Sequence, residues 1–433
     1  MPEDTTVAPH LSRFVEALDR AFRTYGEQDG LPSRLRDAVL SVPRHRFVHR
    51  YRLPDSPLQD FAEDPARHLD TIYADQPMIH VDEAGVPLPS TNSQPSYVLW
   101  LLHLLDLRPG QRVLEIGSGS GWLAAIAGHL VRPGGDVTGV EIIPALARQS
   151  AADLADLGID GVAIVSGDGA DGASPGGLFD RMMVTAGVWE PSPHLWSQVV
   201  EGGLILVPLE LRGGGGCRVS LLRRTGERLL EERSTPGWFV PLVGRGQGRH
   251  GVNRPLETLA SWSAIKDGVP PRWLLPLASQ SGGAQSAAAR FRGFLGRTEP
   301  GFAVFAPAEP PSPGRTDIDP FGLVDDADGS VALWRAGELL AHGGLTAARR
   351  LAHAYVAWTE LGMPDGASFS LEVSTVDATT CDERERWVEV RGGTALTWRL
   401  HPGASDWRTL LHEPGADAGH GGQDTVRLRE RSA

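Results

Sequence analysis

The residues best suited to chemistry in this chain surround a glycine-rich turn. Glu115 lies at the end of an apolar run, and Gly117, Gly119 and Gly121 follow it at alternate positions. Glycine lets the backbone turn sharply and approach a ligand closely, and the helical pattern from Trp122 would point its N-terminus at the turn. A dinucleotide-binding turn reads G-x-G-x-x-G and has its acid about 20 residues downstream. Here the third glycine comes one position early and the acid precedes the turn, which favours a cationic ligand over a pyrophosphate.

Two further acids follow apolar runs. Glu141 ends the run that starts at 136, and Asp168 follows the run 162–165. Glu141 is placed to accept hydrogen bonds from ribose hydroxyls, and Asp168 from an adenine amino group; singly, each is also explained as a cap or a solvated turn residue. Further apolar runs at 179–186 and 202–208 alternate with helical patterns. This alternation predicts an α/β fold with a parallel sheet, helices on both faces and a ligand at the carboxyl ends of the strands.

In this order the motifs resemble those of S-adenosylmethionine-dependent methyltransferases, which have a Rossmann-like fold. The resemblance implies S-adenosyl-L-methionine as the cofactor, whose positive charge suits nearby carboxylates. It also implies that the cofactor is bound by the acids, the turn and their neighbours, namely Glu115, Gly117, Ser118, Gly119, Gly121, Glu141, Ile142, Asp168 and Gly169.

Several segments narrow the resemblance to the protein-L-isoaspartate O-methyltransferase family. Each is similar to a family motif: the helix and Pro-Arg-x-x-Phe-Val exit at 38–48, the Ser-Gln-Pro loop at 93–95, the strand at 179–186 and the closing Phe-Val-Pro-Leu-Val strand at 239–243. The resemblance covers about residues 11 to 245. It implies methyl transfer to the carboxylate of an aspartate or isoaspartate in a peptide or protein.

The acceptor loop departs from the family pattern. By resemblance, Ser93 holds the acceptor carboxylate, with Thr91 and Asn92 as further donors; the alternative for Ser93 is a helix cap before Pro95. The family usually has Gly-x-Thr-Ile-Ser here, and Ser96 stands where an aromatic residue or histidine is expected. We expect these changed residues, Ser96 included, to line the acceptor pocket and to alter the choice of substrate more than the chemistry.

Length and pattern predict two domains. The 433 residues divide into a catalytic domain at 1–245, an α+β accessory domain at 255–412 and a flexible tail at 413–433. The accessory domain has two hairpin signals, at 321–334 and 387–398, and an amphipathic helix at 346–361. It also contains 7 of the 12 tryptophans, which either form a core or present an aromatic peptide-binding surface.

Charge and composition exclude several classes of protein. The net charge of −13 argues against a nucleic-acid partner, because phosphate binding needs a basic surface. No apolar run approaches the roughly 20 residues of a membrane span, and a polar N-terminus leads us to expect a cytoplasmic protein. Cys217 and Cys381 are expected to be unpaired, and no metal site is expected. Because an acidic protein repels a carboxylate, local arginines or neutral donors must dominate at the acceptor; the stretch Arg44 to Arg52 is a candidate, or a solvated helix end.

Three functions fit these observations. The leading one resembles a family branch in ribosomally made peptide pathways, such as lanthipeptides and graspetides, which has a Ser-Gln-Pro-Ser loop and a C-terminal extension. Such an enzyme methylates one aspartate in a constrained peptide, and the ester closes to a succinimide (aspartimide). The second is general repair of isoaspartate in proteins. The third is a pseudoenzyme that binds the cofactor and acts as a peptide scaffold.

Overall fold

The N-terminal part of the chain forms a helical layer with a small sheet. The computed structural model describes residues 4–173, 177–212, 216–248, 254–255, 272–274, 287–306, 320–335, 338–377 and 386–401. Its first elements are α1 (Asp4–Thr24), α2 (Ser33–Ser41), β1 (Arg50–Arg52), β2 (Gln59–Asp60), α3 (Pro65–Ile72), β3 (Met78–Val81), β4 (Pro87–Asn92) and α4 (Pro95–Leu104). The small sheet has the order β2-β1-β3-β4, and β3 pairs with β4 antiparallel. The predicted acceptor loop therefore includes the end of β4, where Thr91 and Asn92 lie, and passes through Ser93 into α4.

A parallel sheet follows, as the sequence predicts. Its elements are β5 (Arg112–Ile116), α5 (Trp122–Val131), β6 (Asp136–Glu141), α6 (Pro144–Asp156), β7 (Val162–Ser166), β8 (Phe179–Val184), α7 (Pro193–Trp196) and β9 (Val199–Glu210). The strands lie side by side in the order β7-β6-β5-β8-β9, all parallel. The carboxyl ends of β5, β6 and β8 consequently meet at one edge, where ligands bind in α/β folds.

The other half of the same sheet is antiparallel and includes the C-terminal region. The remaining elements are β10 (Cys217–Thr225), β11 (Arg228–Gly237), β12 (Arg254–Pro255), β13 (Arg272–Leu274), α8 (Ala287–Thr298), β14 (Phe302–Ala306), β15 (Phe321–Val324), β16 (Val331–Arg335), β17 (Glu338–His342), α9 (Thr346–Glu360), β18 (Phe369–Thr375), β19 (Arg386–Arg391) and β20 (Thr394–Leu400). The sheet continues from β9 in the order β10-β11-β18-β20-β19. The predicted α/β fold with an added α+β region is confirmed. The division at 245 and 255 stays a prediction, and the pairing of β11 with β18 joins the two parts.

The central sheet is covered by a different apolar layer on each face. Along β9, Leu204 and Leu206 belong to the core shared with the N-terminal helices, whereas Ile205 and Val207 belong to the core that contains α8 and α9. This alternation is the two-residue period of a strand buried on both faces. Trp334, Trp358 and Trp398 are buried in the second core, which favours core packing over a binding surface for these three tryptophans. Trp262 and Trp407 lie outside the described residues.

Other expectations have mixed outcomes. Both predicted hairpins form, β15 with β16 and β19 with β20, and α9 matches the predicted amphipathic helix. The predicted closing strand at 239–243 is wrong: only Pro241 makes an isolated bridge, to Gly187, and proline has no N–H with which to continue a ladder.

Cys217 is a buried free thiol, whereas Cys381 and the tail from 413 lie outside the described residues. Within the described residues no helix has the length and apolar character needed to cross a membrane.

Candidate functional site

An open cavity lies at the carboxyl ends of β5, β6 and β8. Together with its open mouth it contains about 770 Å³ of empty space. Most of the site residues expected from sequence line it, namely Thr91, Asn92, Ser93, Glu115, Gly117, Ser118, Gly119, Glu141 and Ile142. Gly121, Asp168 and Gly169 are not among its described lining residues. The fold therefore brings the glycine-rich turn and the acceptor loop to the same cavity.

The glycine-rich turn requires glycine at each of its three positions. Gly117, Gly119 and Gly121 all have positive φ values, of 87°, 54° and 81°. A β-carbon on Gly117 would lie 3.0 Å from Thr185 Oγ1, and one on Gly121 would lie 3.1 Å from Ser150 Cβ. Gly121 thus starts α5 and fits it against α6, which explains its role without contact to a ligand. The turn leaves the backbone bare on the cavity side.

Glu115 is a buried carboxylate with an unused oxygen. Its side chain is 3% exposed, and Oε2 has no hydrogen-bond partner among the described residues. Burial raises the pKa of Glu115 to about 8, and the neighbouring charge of Glu141 adds to the rise. An unpaired buried carboxylate is unfavourable unless a donor or a cation meets it. This side of the cavity therefore fits a cationic ligand with N–H groups, such as S-adenosylmethionine.

Glu141 ends β6 and holds the turn in place. Its Oε2 accepts the Gly119 N–H at 2.8 Å, and its Oε1 accepts the Ile143 N–H at 2.9 Å. Burial raises the pKa of Glu141, although these backbone donors oppose the rise. Each carboxylate oxygen has a second lone pair, so Glu141 retains the capacity to accept from ribose hydroxyls. That role stays a prediction.

Asp168 and Gly169 have local structural roles. Asp168 Oδ1 accepts the Ala170 N–H at 2.9 Å, which caps a short 3₁₀ turn, and Oδ2 accepts the Arg245 N–H at 2.8 Å. A β-carbon on Gly169 would lie 2.5 Å from Ile116 Cγ2, so glycine is needed there for packing. The capping alternative is therefore present for Asp168, and its contact with adenine remains a prediction.

The acceptor loop presents an unengaged hydroxyl. α4 begins at Pro95 and its N-cap residue is Gln94, which makes no side-chain capping bond. Ser93 is half-buried and lines the cavity, and its hydroxyl has no hydrogen-bond partner among the described residues. The helix-cap alternative for Ser93 therefore has no support in the geometry. Instead the hydroxyl is available to a ligand.

The buried Arg44 and the half-buried Asp75 fix this loop. Arg44 is 2% exposed, and its guanidinium donates to the carbonyls of Ile72 at 2.6 Å and Ser93 at 3.4 Å. Arg44 is thus neither a surface cation nor part of a solvated helix end. Asp75 accepts the Ser96 N–H at 2.8 Å and its hydroxyl at 2.7 Å. Ser96 is fully buried in this contact, so the expectation that it lines the pocket is wrong.

Polar residues behind the loop were not predicted from sequence. His80 Nδ1 lies 2.8 Å from Ser90 Oγ, and Ser120 Oγ donates to Asn92 Oδ1 at 2.6 Å. A β-carbon on Gly119 would lie 3.3 Å from His80 Cε1, so the imidazole sits directly behind the glycine-rich turn. Burial lowers the pKa of His80 to about 4, which keeps the ring neutral at neutral pH. These contacts tie the acceptor loop to the turn.

The described lining contains two acids, Glu115 and Glu141, together with several neutral hydrogen-bond donors. Neither arginine nor lysine occurs among the described lining residues. Of the two alternatives expected for the acceptor, local arginines and neutral donors, the described lining supplies the neutral donors. Sequence reasoning also missed Thr185, which follows β8 and donates to the Gly117 carbonyl at 2.6 Å. Its position after a strand beside β5 was the available signal.

The C-terminal region supports the loop that follows β8. The Arg391 guanidinium donates to the carbonyls of Trp189 at 2.7 Å and Glu210 at 2.8 Å, and lies 3.6 Å from the centre of the Trp189 ring system. Gly187, in the same loop, donates to Val240 O at 2.8 Å. Because Val240 lines the cavity, the C-terminal hairpin is connected to the cavity wall through one loop.

The N-terminal half of the chain is similar in sequence to known proteins. The family of protein-L-isoaspartate(D-aspartate) O-methyltransferases (PCMT) matches residues 27–247. The protein-L-isoaspartate O-methyltransferase of Methanopyrus kandleri is 35% identical over 214 residues, which cover 49% of this chain and 84% of that protein. The protein of the same name from Roseiflexus castenholzii is 36% identical over 213 residues, with 49% and 84% covered. A solved structure named protein-L-isoaspartate O-methyltransferase aligns with 83% of this chain and 96% of its own, at 21% identity and a TM-score of 0.49.

The chain therefore belongs to the protein-L-isoaspartate(D-aspartate) O-methyltransferase family, and it is an S-adenosylmethionine-dependent carboxyl O-methyltransferase.

Proposed function

We propose that this protein methylates the side-chain carboxylate of one aspartate in a constrained, ribosomally made peptide, and that the ester then closes to a succinimide. The assignment of the acceptor position rests on two neutral donors in the acceptor loop, which lines the cavity. There the Ser93 hydroxyl is unengaged, and Asn92 Nδ2 is buried with no partner among the described residues. Two such donors suit an anionic acceptor oxygen.

The chemistry asks mainly for position. S-adenosylmethionine, when bound, supplies an electrophilic methyl group and leaves as a neutral thioether. An acceptor carboxylate with a pKa near 4 is ionised at neutral pH and needs no protein base. Ser93 and Asn92 would orient it through one oxygen and leave the other oxygen free to face the methyl group that the cofactor would supply. In the ester, the backbone nitrogen of the next residue then attacks the carbonyl and loses its proton, methanol leaves, and the ring closes.

Two features support a specific peptide over many substrates. The acceptor loop lacks the usual Gly-x-Thr-Ile-Ser and is anchored by Asp75 through a buried Ser96. The C-terminal region lies outside the matched residues and yet holds the loop next to the cavity through Arg391. An enzyme for one normal aspartate must reject all others, which requires contacts beyond a single carboxylate. A cytoplasmic location is part of this proposal.

General repair of isoaspartate is the second candidate. It is favoured by the relatives, which are named protein-L-isoaspartate O-methyltransferase and are covered by this chain over more than four-fifths of their length. A repair enzyme accepts isoaspartate in unrelated sequences. The repair hypothesis therefore predicts that the rate of methylation depends little on the shape of the peptide.

A substrate comparison tests the proposal. The full chain is incubated with S-adenosylmethionine and three peptides of one sequence: a cyclised aspartyl peptide, its linear form and a linear isoaspartyl form. We expect mass spectrometry to find the methyl ester of the cyclised peptide and a product lighter than that ester by methanol. Efficient methylation of only the isoaspartyl form would establish repair instead, and no transfer to any peptide would favour a cofactor-binding scaffold.

Variants of the acceptor loop test the residues. Ser93→Ala should lower turnover strongly while the affinity for S-adenosylmethionine, measured by calorimetry, stays the same. Thr91→Ala shows whether the donor role is shared. If Ser93→Ala acts only through weaker cofactor binding or lower stability, the assignment of Ser93 to the acceptor is wrong.

A further inference from the structure

The segment that forms one wall of the cavity carries an exposed aromatic side chain two residues before the wall. Val240 and Pro241 line the cavity, and Trp238 precedes Val240 by two positions. Consecutive Cα atoms are about 3.8 Å apart, so the Trp238 backbone lies within about 8 Å of the lining. The Trp238 side chain is 78% exposed, the highest value among the large apolar side chains of the described residues. Tryptophan is highly buried on average, so an indole this exposed and this close in sequence to a cavity wall is a candidate for contact with a ligand.

The backbone on both sides of Trp238 is fixed to the acceptor side of the site. The Tyr97 hydroxyl donates to the Pro236 carbonyl at 2.9 Å, and the Tyr97 ring lies 6.2 Å from the Phe239 ring. Tyr97 belongs to the first turn of α4, which begins directly after the acceptor loop. The position of Trp238 is therefore set by the same helix that follows Ser93.

The indole is also supported from one side. A β-carbon on Gly216 would lie 3.3 Å from Trp238 Cε2 and 3.6 Å from Cδ2, the two atoms shared by the fused rings. The ring system thus rests against a glycine backbone, and most of its surface faces solvent. A supported aromatic surface can bind an apolar side chain with little loss of conformational entropy, since few torsions remain to be fixed.

We propose that Trp238 is a docking platform for the peptide segment that flanks the acceptor residue, and that it selects peptides with an apolar or aromatic side chain close to that residue. The inference rests on the proposed function, because a peptide acceptor must pass the cavity mouth to place its carboxylate at Ser93. Ser93, Val240 and Pro241 line the same cavity, so the residues on either side of the acceptor would pass the wall that continues into Trp238. The net charge of −13 disfavours an anionic partner. An indole surface also offers none of the cationic groups that would bind one.

Steady-state kinetics with matched peptides test the platform. Two peptides differ only in the residue next to the acceptor, which is leucine in one and glycine in the other. Trp238→Ala should raise KM for the leucine peptide at least about tenfold, the scale of a lost hot-spot contact, and change kcat less than about twofold. KM for the glycine peptide and for S-adenosylmethionine should stay within about twofold. Trp238→Phe should retain most of the preference for leucine.

Controls separate this inference from the proposed function. Val356→Ala removes another exposed apolar side chain, on α9, and should leave all constants unchanged. Equal effects of Trp238→Ala on both peptides, or no effect on either, would overturn the platform while methylation by the unaltered chain upholds the proposed function. A second copy of this chain is the competing occupant: if Trp238→Ala abolishes a concentration-dependent dimer in sedimentation velocity without changing the leucine preference, the surface is a dimer interface and the inference is wrong. No methyl transfer to either peptide by the unaltered chain would refute the proposed function itself.

Discussion

Glu115→Gln should remove much of the pH dependence of cofactor binding. Burial raises the pKa of Glu115 to about 8, so below that pH the free protein holds this carboxyl group mainly protonated. A cationic ligand favours the ionised form, and binding then releases a proton. By linkage, each pH unit below the pKa changes the binding constant by up to tenfold per proton released. Glutamine keeps the size and polarity of the side chain but cannot release a proton.

The expected change in cofactor affinity depends on the pH interval over which it is measured. Between pH 5.5 and 7 the ammonium group of S-adenosylmethionine stays protonated, because an α-amino group has a pKa of about 8. Over this interval the affinity of the unaltered protein should rise by up to about thirtyfold relative to that of Glu115→Gln. Taking the ratio to the variant cancels contributions shared by both proteins, such as that of Glu141. The assay is titration calorimetry in buffers of different ionisation enthalpy, which counts the released protons directly.

The raised pKa of Glu115 also predicts how the stability of the cofactor-free protein depends on pH. The pKa of Glu115 in the folded protein lies above its ordinary value of 4.5, so the unfolded chain loses this proton at lower pH. The free energy of unfolding should therefore fall between about pH 4.5 and 8, by an amount on the order of 4 kcal/mol at about 1.4 kcal/mol per pKa unit. Glu115→Gln should flatten this dependence in urea unfolding. Equal proton release by variant and unaltered protein, together with equal pH profiles of stability, would refute the reasoning.

Two other predictions concern groups outside the cofactor side. Arg391→Ala should lower the free energy of unfolding in urea by about 3 kcal/mol, because it leaves the buried Glu389 with Arg212 as its remaining ionic partner. Arg399→Ala, which removes a half-exposed ion pair, should cost less than about 1 kcal/mol, and similar losses in the two variants would contradict the argument. His80→Ala should lower kcat/KM for the acceptor peptide about tenfold and leave cofactor affinity unchanged, because the imidazole holds the acceptor loop against the glycine-rich turn. His80→Gln, which keeps a donor, should lose less, and equal losses would assign His80 to general stability.

The parallel half of the fold is predictable because each of its elements has a local signature. Apolar runs of strand length end in glycines or acids, and helical patterns separate them. The carboxyl ends of neighbouring parallel strands meet at one edge, so Glu115 and Glu141 had to lie close together. The predicted functional residues that line the cavity fall into two groups. Some lie at or after the carboxyl ends of the parallel strands, and the others lie in the loop that precedes α4.

The remainder depends on tertiary contacts that no local pattern encodes. Arginine is usually a surface residue. The burial of Arg44 depends on the surrounding backbone carbonyls, which accept hydrogen bonds from its guanidinium. Ser96 is buried because Asp75, far from it in sequence, accepts both of its hydrogen bonds. The joining of β11 to β18 is also nonlocal, since a strand pattern indicates which residues alternate but not which strand they pair with. Truncation near 254 would therefore expose a shared core, and point variants are the better test of the C-terminal region.

The distribution of charge in the cavity explains how an acidic protein can act on a carboxylate. Glu115, Glu141, Ser93 and Asn92 all line the cavity, and the last two are neutral donors. Glu115 is mainly protonated in the free protein and would ionise only beside a cation, so the site would gain this negative charge together with the positive charge that offsets it. In the proposed arrangement the acceptor would meet neutral donors and a cation. The negative net charge of the protein then need not be overcome by arginines at the site.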